Sequence, residues 1–316
     1  MRRTAAALLL LALVLCAAAA AAAQPSKSKP RTKPLSPAQL RAADGLKSPL
    51  ESLVSAEQAF ARMSAAKNTR DAFVANLAED CVMFRPLPVN GYDLYVSRKP
   101  TAAKLVWGPV YAEIAGSGDL GVTTGPWEFT PPPGTPNAET AYGQFFSIWK
   151  CAAGKPWKVA LDFGISHTRP DYGVGEIPLE VGPDHRFVPR RAGGAAGDEL
   201  EQLDGEFSRM SHELNPGRAV VAWTTDDLRY LAEGSEPRLA EVARNAMTFM
   251  PASATFHPLG SGIAGTADLG YTYGVREDSS DVPGKAPDST AYVHVWRRLD
   301  EGGWKISLAV DQPIKR

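Results

Sequence analysis

Two carboxylates fall at matching places on apolar stripes. Glu57 lies on the line Leu53, Glu57, Phe60, Ser64, and Asp204 on Leu200, Asp204, Phe207, Ser211, the three-and-four spacing that gathers side chains on one helix face. On the inward edge of a helix such a group lines a cavity as acid, base or anchor. The plainer alternative is a solvated edge on which Glu57 pairs with Arg62 and Asp204 with Arg209. Asp162 and Asp311 follow on strand-like runs, and Ser147 and His294 hold equivalent places on the preceding runs. A His–acid pair for proton transfer, His294 with Asp311, is therefore available only late in the chain. The aromatics Phe145, Phe146, Trp149 and Trp157, with Tyr292, Trp296 and Trp304, suit either a ligand pocket or ordinary core.

Other motifs carry less. Gly116-Ser-Gly-Asp-Leu-Gly121 and Gly260-Ser-Gly-Ile-Ala-Gly265 match the dinucleotide fingerprint in letters, but strand-like residues follow each one where a helix N-terminus must meet the phosphate. They read as tight turns. The five His show no ligand spacing, and there is no nucleophile elbow, so no metal and no cofactor is expected.

The chain has 316 residues, 34 basic against 35 acidic, and 44% hydrophobic, which fits two ordinary domains and gives no electrostatic footprint for nucleic acid. Arg2 and Arg3 precede an apolar run from Ala5 to Ala23 with small residues at its end, the pattern of a secretory signal peptide over residues 1–23. The expected location is therefore periplasmic or secreted, with an uncleaved N-terminal anchor as the alternative and no later segment able to span a bilayer. Residues 24–47 are rich in Pro, Lys and Arg and read as a flexible basic tail. After signal removal Cys81 and Cys151 remain, which leaves one disulfide open in an oxidising compartment.

Self-comparison is the most informative reading. Phe60-Ala-Arg-Met-Ser64 matches Phe207-Ser-Arg-Met-Ser211, Ala115 to Gly125 matches Ala264 to Gly274, and Trp157-Lys-Val-Ala-Leu161 matches Trp304-Lys-Ile-Ser-Leu308, at offsets of 147, 149 and 147. Near-constant offsets imply one domain in tandem, residues 48–166 and 198–316, joined by a Pro- and Gly-rich linker over 167–197. Each copy opens with helices. Ser48-Pro-Leu-Glu51 has capping-box spacing, Thr69 starts a second helix, and Asn215-Pro216 marks its counterpart. The period then switches to two over Cys81 to Phe84, Val110 to Ile114, Gly121 to Phe129, Gly143 to Lys150 and Trp157 to Phe163. On the last run strict alternation puts Trp157, Val159, Leu161 and Phe163 on one face and Lys158, Ala160 and Asp162 on the other.

The order helix, helix, strand, Gly118-Asp-Leu-Gly121, an aromatic strand ending at Trp149, then Trp157-Lys158 and Leu161-Asp162 resembles the nuclear transport factor 2-like superfamily, and within it a bacterial branch of unknown function. That resemblance implies an α+β cone, a curved antiparallel sheet closed by helices over a cavity, in both copies. It also implies that Asp162 matches a strand position some enzymes of the superfamily use for catalysis, and that the copies pack as an intramolecular pseudo-dimer. The leading expectation is a non-catalytic binder or scaffold with a small apolar pocket for an apolar or amphipathic molecule, Glu57, Phe145, Trp149, Asp204, Tyr292 and Trp296 being the candidate contacts. The alternative is an enzyme of isomerase, dehydratase or hydrolase type using Asp162, or His294 with Asp311. A structural envelope protein is the third reading.

Overall fold

The computed structural model describes residues 48–183, 196–278, 288–300 and 303–315. The expected signal segment, the basic tail and the middle of the expected linker lie outside the described residues.

The first stretch runs α1 (Pro49–Ala66), α2 (Thr69–Asn76), β1 (Leu77–Phe84), β2 (Pro88–Asn90), α3 (Gly91–Ser97), β3 (Lys104–Trp107), β4 (Tyr111–Ile114), β5 (Leu120–Thr130), β6 (Ala141–Lys150), β7 (Lys158–His167) and β8 (Glu180–Val181). The second runs α4 (Ala196–Glu213), α5 (Pro216–Trp223), β9 (Thr224–Ala232), β10 (Arg238–Leu239), α6 (Ala240–Met247), β11 (Thr255–Ile263), β12 (Leu269–Asp278), β13 (Asp288–Arg298) and β14 (Trp304–Pro313). The capping box forms, Ser48 accepting from the Glu51 amide at 3.2 Å while the Glu51 carboxylate accepts from the Ser48 amide at 2.8 Å. Asn68 and Asn215 cap α2 and α5 in the same way through their side-chain oxygens. Periodicity alone does not reveal α3 and α6, because seven or eight residues are too few to carry a helical stripe.

Two sheets result, ordered β2-β1-β7-β6-β5-β4-β8, with β3 also on β5, and β10-β9-β14-β13-β12-β11. The central pairings coincide position by position. Phe145 lies opposite Gly164 and Ser147 opposite Asp162, while Tyr292 lies opposite Asp311 and His294 opposite Ala309. In place of β3 and β4 the second sheet has one bulged strand, β11. The expected linker is corrected in part: its Glu180–Val181 joins the first sheet as β8, parallel to β4.

Three buried clusters hold these layers. Helices α1 to α3 cover one face of the first sheet through Leu53, Phe60, Phe73 and Tyr95 against Trp149 and Val159. Leu200, Phe207, Val220 and Met247 cover the second sheet against Tyr292 and Trp296. The uncovered faces meet each other, so Phe146, Ile148, Leu161 and Phe163 share one cluster with Tyr271, Val293, Val295 and Leu308. Burial on both faces explains why the central strands read as nearly continuous apolar runs. Among the described residues no helix is long and apolar enough to cross a membrane.

The first glycine motif is a turn at the edge of this contact, whereas the second is corrected: Gly260 to Ile263 belong to β11, paired with β12, and only Gly265 enters the matching turn. Gly116 donates its amide to Asp268 at 2.8 Å, and Gly265 donates its amide to Asp119 at 3.0 Å. Ser117 and Thr266 also bond across, the Ser117 amide reaching the Thr266 hydroxyl at 3.0 Å. Gly118 holds φ at +69°, the left-handed turn that a side chain resists.

Candidate functional site

Glu57 neither lines a cavity nor pairs with Arg62. It is wholly buried beneath α1, where its carboxylate accepts from Trp107 Nε1 at 2.6 Å, Thr123 Oγ1 at 2.6 Å and Trp149 Nε1 at 2.8 Å. Burial pushes its pKa up, against the pull of those three donors. Glu57 therefore works as an anchor that fixes two indoles, and Trp149, tied to it and fully buried, is core and not a ligand contact.

The anchored Trp107 forms part of the wall of a cavity of about 750 Å³, within the range of small-molecule sites. Its apolar walls come from Phe60, Phe73, Trp107, Trp127, Phe129 and Phe145. Phe60 and Trp107 meet edge to face at 4.8 Å, which fixes both rings. Trp127 lies flat because its neighbours are glycines: a Cβ on Gly143 would meet the indole at 2.4 Å, whereas one on Gly164 would stand 3.6 Å from Trp127 Nε1. The second sheet contributes Gln312 to the same wall, its amide donating to the Gly164 carbonyl at 3.3 Å.

Among the described residues Asp162 is the one carboxylate lining this cavity. Strict alternation placed it opposite Val159, but a bulge corrects that reading, since Trp149 pairs Val159 while Ile148 pairs Leu161. The extra residue, Ala160, reverses the parity. Leu161 and Phe163 then face the other sheet while Asp162 turns toward the cavity on the side of Trp157 and Val159. Ser147 Oγ donates to Asp162 Oδ2 at 3.2 Å. Desolvation pushes the Asp162 pKa up to about 7, and the Arg85 charge opposes it. The group titrates where an acid–base residue is most useful.

Arg85, Tyr95, Trp107 and Trp127 escape the sequence reading. Trp107 carried one usable signal, since it stands 149 positions before Phe256 in register with the repeat.

Among the described residues the second half fills the equivalent positions. Asp204 accepts from Tyr292 OH and from His294 Nδ1, both at 2.8 Å, so the partner of His294 is Asp204 and the expected pair with Asp311 does not form. The reason is geometric: Asp204 reaches into the sheet from α4, while Asp311 turns away to Arg276 at 2.5 Å and to Tyr230 OH at 3.0 Å. Asp204 leaves Arg209 to Glu206 and Glu213. Tyr292 and Trp296 are fully buried, the latter donating to Thr272 at 3.0 Å, and so neither is placed to touch a ligand. Where the first half has Trp127 and Gly164, the second has Arg276 and Asp311. What remains beside that ion pair is a recess of about 170 Å³.

Cys81 and Cys151 are separate thiols. Strand β7 lies between β1 and β6, which sets their strands roughly 9–10 Å apart by the usual strand spacing, beyond a disulfide's reach of about 7 Å. Among the described residues no group of three His, Cys, Asp or Glu side chains is arranged to hold a metal ion.

No protein-family model and no curated protein matches the chain. Solved structures similar to part of it include a ketosteroid isomerase-like protein from Erwinia carotovora atroseptica, at 13% identity and a TM-score of 0.29 over 37% of this chain and 96% of the other. A nuclear transport factor 2-like protein from Cytophaga hutchinsonii is similar at 16% identity and a TM-score of 0.29, over 37% of this chain and 98% of its own. A putative scytalone dehydratase from Novosphingobium aromaticivorans is similar at 14% identity and 0.30, over 40% of this chain and 90% of its own.

Proposed function

We propose that this is an exported protein of two fused nuclear transport factor 2-like domains, whose first domain binds a small, flat, largely apolar molecule and whose second is its built-in partner. One contrast carries the reading: equivalent positions hold an open aromatic cavity in the first half and a hydrogen-bonded, ion-paired core in the second. Selection for two working sites would leave two cavities. A half that serves mainly to cover its neighbour's sheet can fill its own interior, and the place of Gln312 in the cavity wall supports this reading. The apolar run before Gln24 supports export.

Titration with phenylnaphthylamine, a neutral flat fluorophore, tests this. Its emission should rise and cavity tryptophan emission should fall in the intact protein, and Gly164→Leu should remove both effects. Equal binding by Gly164→Leu would overturn the reading.

Asp162 favours a second reading, proton transfer of isomerase, dehydratase or hydrolase type. A carboxyl desolvated beside an apolar substrate, with a pKa near neutrality, is equipped to take and return a proton. Mass spectrometry of molecules co-purified with the protein would supply a compound, and Asp162→Asn should still bind it while failing to convert it.

A further inference from the structure

We propose that the ligand of the first-half cavity is an anion, a flat aromatic body carrying one carboxylate or sulfonate that meets the guanidinium groups set around the C-terminal turn of α3. This rests on the binding reading above and deepens it. Among the described residues four cationic side chains, Arg70, Arg85, Arg98 and Lys99, line the cavity against the carboxylate of Asp162; Arg70 is paired with Asp71 at 2.9 Å, which leaves Arg85, Arg98 and Lys99 as the excess charge, in a chain whose charges otherwise nearly cancel.

These cations are held in place. Tyr95 is the hub: its ring stacks on Phe73 at 4.1 Å and 18°, Arg98 lies over that ring at 4.9 Å, and the Arg85 charge acts on its hydroxyl. Arg85 also donates to the Phe84 carbonyl at 2.6 Å. Arg70 donates to the Val96 carbonyl at 3.3 Å and to Asp71 at 2.9 Å. Three guanidinium groups are thus pre-positioned by two helices and a strand end, so little side-chain entropy is lost when an anion arrives. Guanidinium is the group that grips carboxylate or sulfonate oxygens in pairs, and a low-dielectric aromatic wall beside it strengthens the attraction. The second half lacks the device. Tyr95 and Arg98 have no counterpart there that opens on a comparable space, and its cavity-facing arginine, Arg276, is already neutralised by Asp311 and Asp278.

The two ends of the proposed ligand separate in one matched pair of probes, phenylnaphthylamine and anilinonaphthalene sulfonate, which share a skeleton and differ in the anionic group. The intact protein should hold the sulfonate about tenfold or more tighter than the neutral probe. Arg85→Gln and Arg98→Gln should each cut that ratio severalfold, the sulfonate losing more affinity than the neutral probe, and added salt should shrink it further. Equal affinities, or a ratio that survives the Arg85→Gln/Arg98→Gln double variant, would overturn the anion proposal while leaving the cavity reading intact. Failure of both probes to bind would overturn the cavity reading and this proposal together. The thermal midpoint of each variant, expected to match the parent because Arg85 and Arg98 are exposed, distinguishes lost recognition from lost fold.

Discussion

Gly164 and Asp311 occupy one position in two sheets: Gly164 lies opposite Phe145, and Asp311 lies opposite Tyr292 at the equivalent step. The glycine leaves room for Trp127 and a cavity, while the aspartate draws Arg276 across and closes the space. Placing the second half's residue in the first, as Gly164→Asp, should therefore shut or charge the cavity. Phenylnaphthylamine affinity should fall about tenfold or more. The fold should survive, since a Cβ at Gly164 meets no atom closer than 3.6 Å. Gly143→Ala should behave in the opposite way, because its Cβ would stand 1.9 Å from the Ile165 carbonyl oxygen. Overpacking of that kind costs about 1–3 kcal/mol or more, read as a lowered denaturation midpoint.

Glu57 makes a second prediction. Glu57→Ala strips the acceptor from the Trp107 indole N–H and the Thr123 hydroxyl in a dry interior and leaves the Trp149 indole with only the Thr123 oxygen at 3.1 Å. Unsatisfied buried donors cost about 1–3 kcal/mol each, so a loss of about 3 kcal/mol or more is expected in urea denaturation followed by tryptophan near-ultraviolet dichroism. Glu57→Gln keeps an acceptor oxygen and should lose less. A neutral result for Glu57→Ala would mean that the indoles are held by packing alone.

The repeat, the capped helices and the central strands were legible because each is a local pattern: a cap spacing, an alternation, a matched string such as Gly118-Asp-Leu-Gly121. Asp162 was legible as a candidate for the same reason. Its direction was not, because a single bulge at Ala160 reverses which face it shares, and the register that shows a bulge belongs to two strands at once. Glu57 and Asp204 were found by their stripe, yet their partners Trp107, Trp149, Tyr292 and His294 come from residues roughly 50 to 90 positions away in sequence, a distance no periodicity reports. The basic mouth was missed because α3 is too short to announce itself.

Asp162 sets the pH response. Its folded pKa is raised to about 7 from an ordinary 3.8, so the unfolded chain gives up its proton first as pH rises. Stability from this group is then complete below about pH 4, declines between about pH 4 and 7, and is level above that. At about 1.4 kcal/mol for each pH unit the decline is at most about 4 kcal/mol, and solvent in the cavity reduces it. Asp162→Asn should flatten that part of the stability curve and should be more stable than the parent at pH 8. Identical curves for the two proteins would place the Asp162 carboxyl in ordinary solvent.

The contact between the halves contains two kinds of bond that should respond differently to mutation. Asp119 and Asp268 form reciprocal turn contacts near solvent, so Asp119→Ala and Asp268→Ala should cost similar, small amounts, about 1 kcal/mol each. Arg297 breaks the symmetry. It reaches from β13 to Glu113 on β4 at 2.6 Å and 2.9 Å, both groups buried, and to Asp227 at 2.8 Å, whereas Lys150 at the equivalent place lies over the Tyr271 ring at 5.4 Å. Removing one partner of a buried pair costs about 3–5 kcal/mol, because the charge left behind stays dehydrated. Arg297→Met should therefore destabilise strongly, and adding Glu113→Leu should recover much of the loss, since two apolar side chains leave no stranded charge. The measurement is a double-mutant cycle in urea. A double variant no more stable than Arg297→Met would show that the ion pair itself, and not the avoidance of an unpaired Glu113, joins the two sheets.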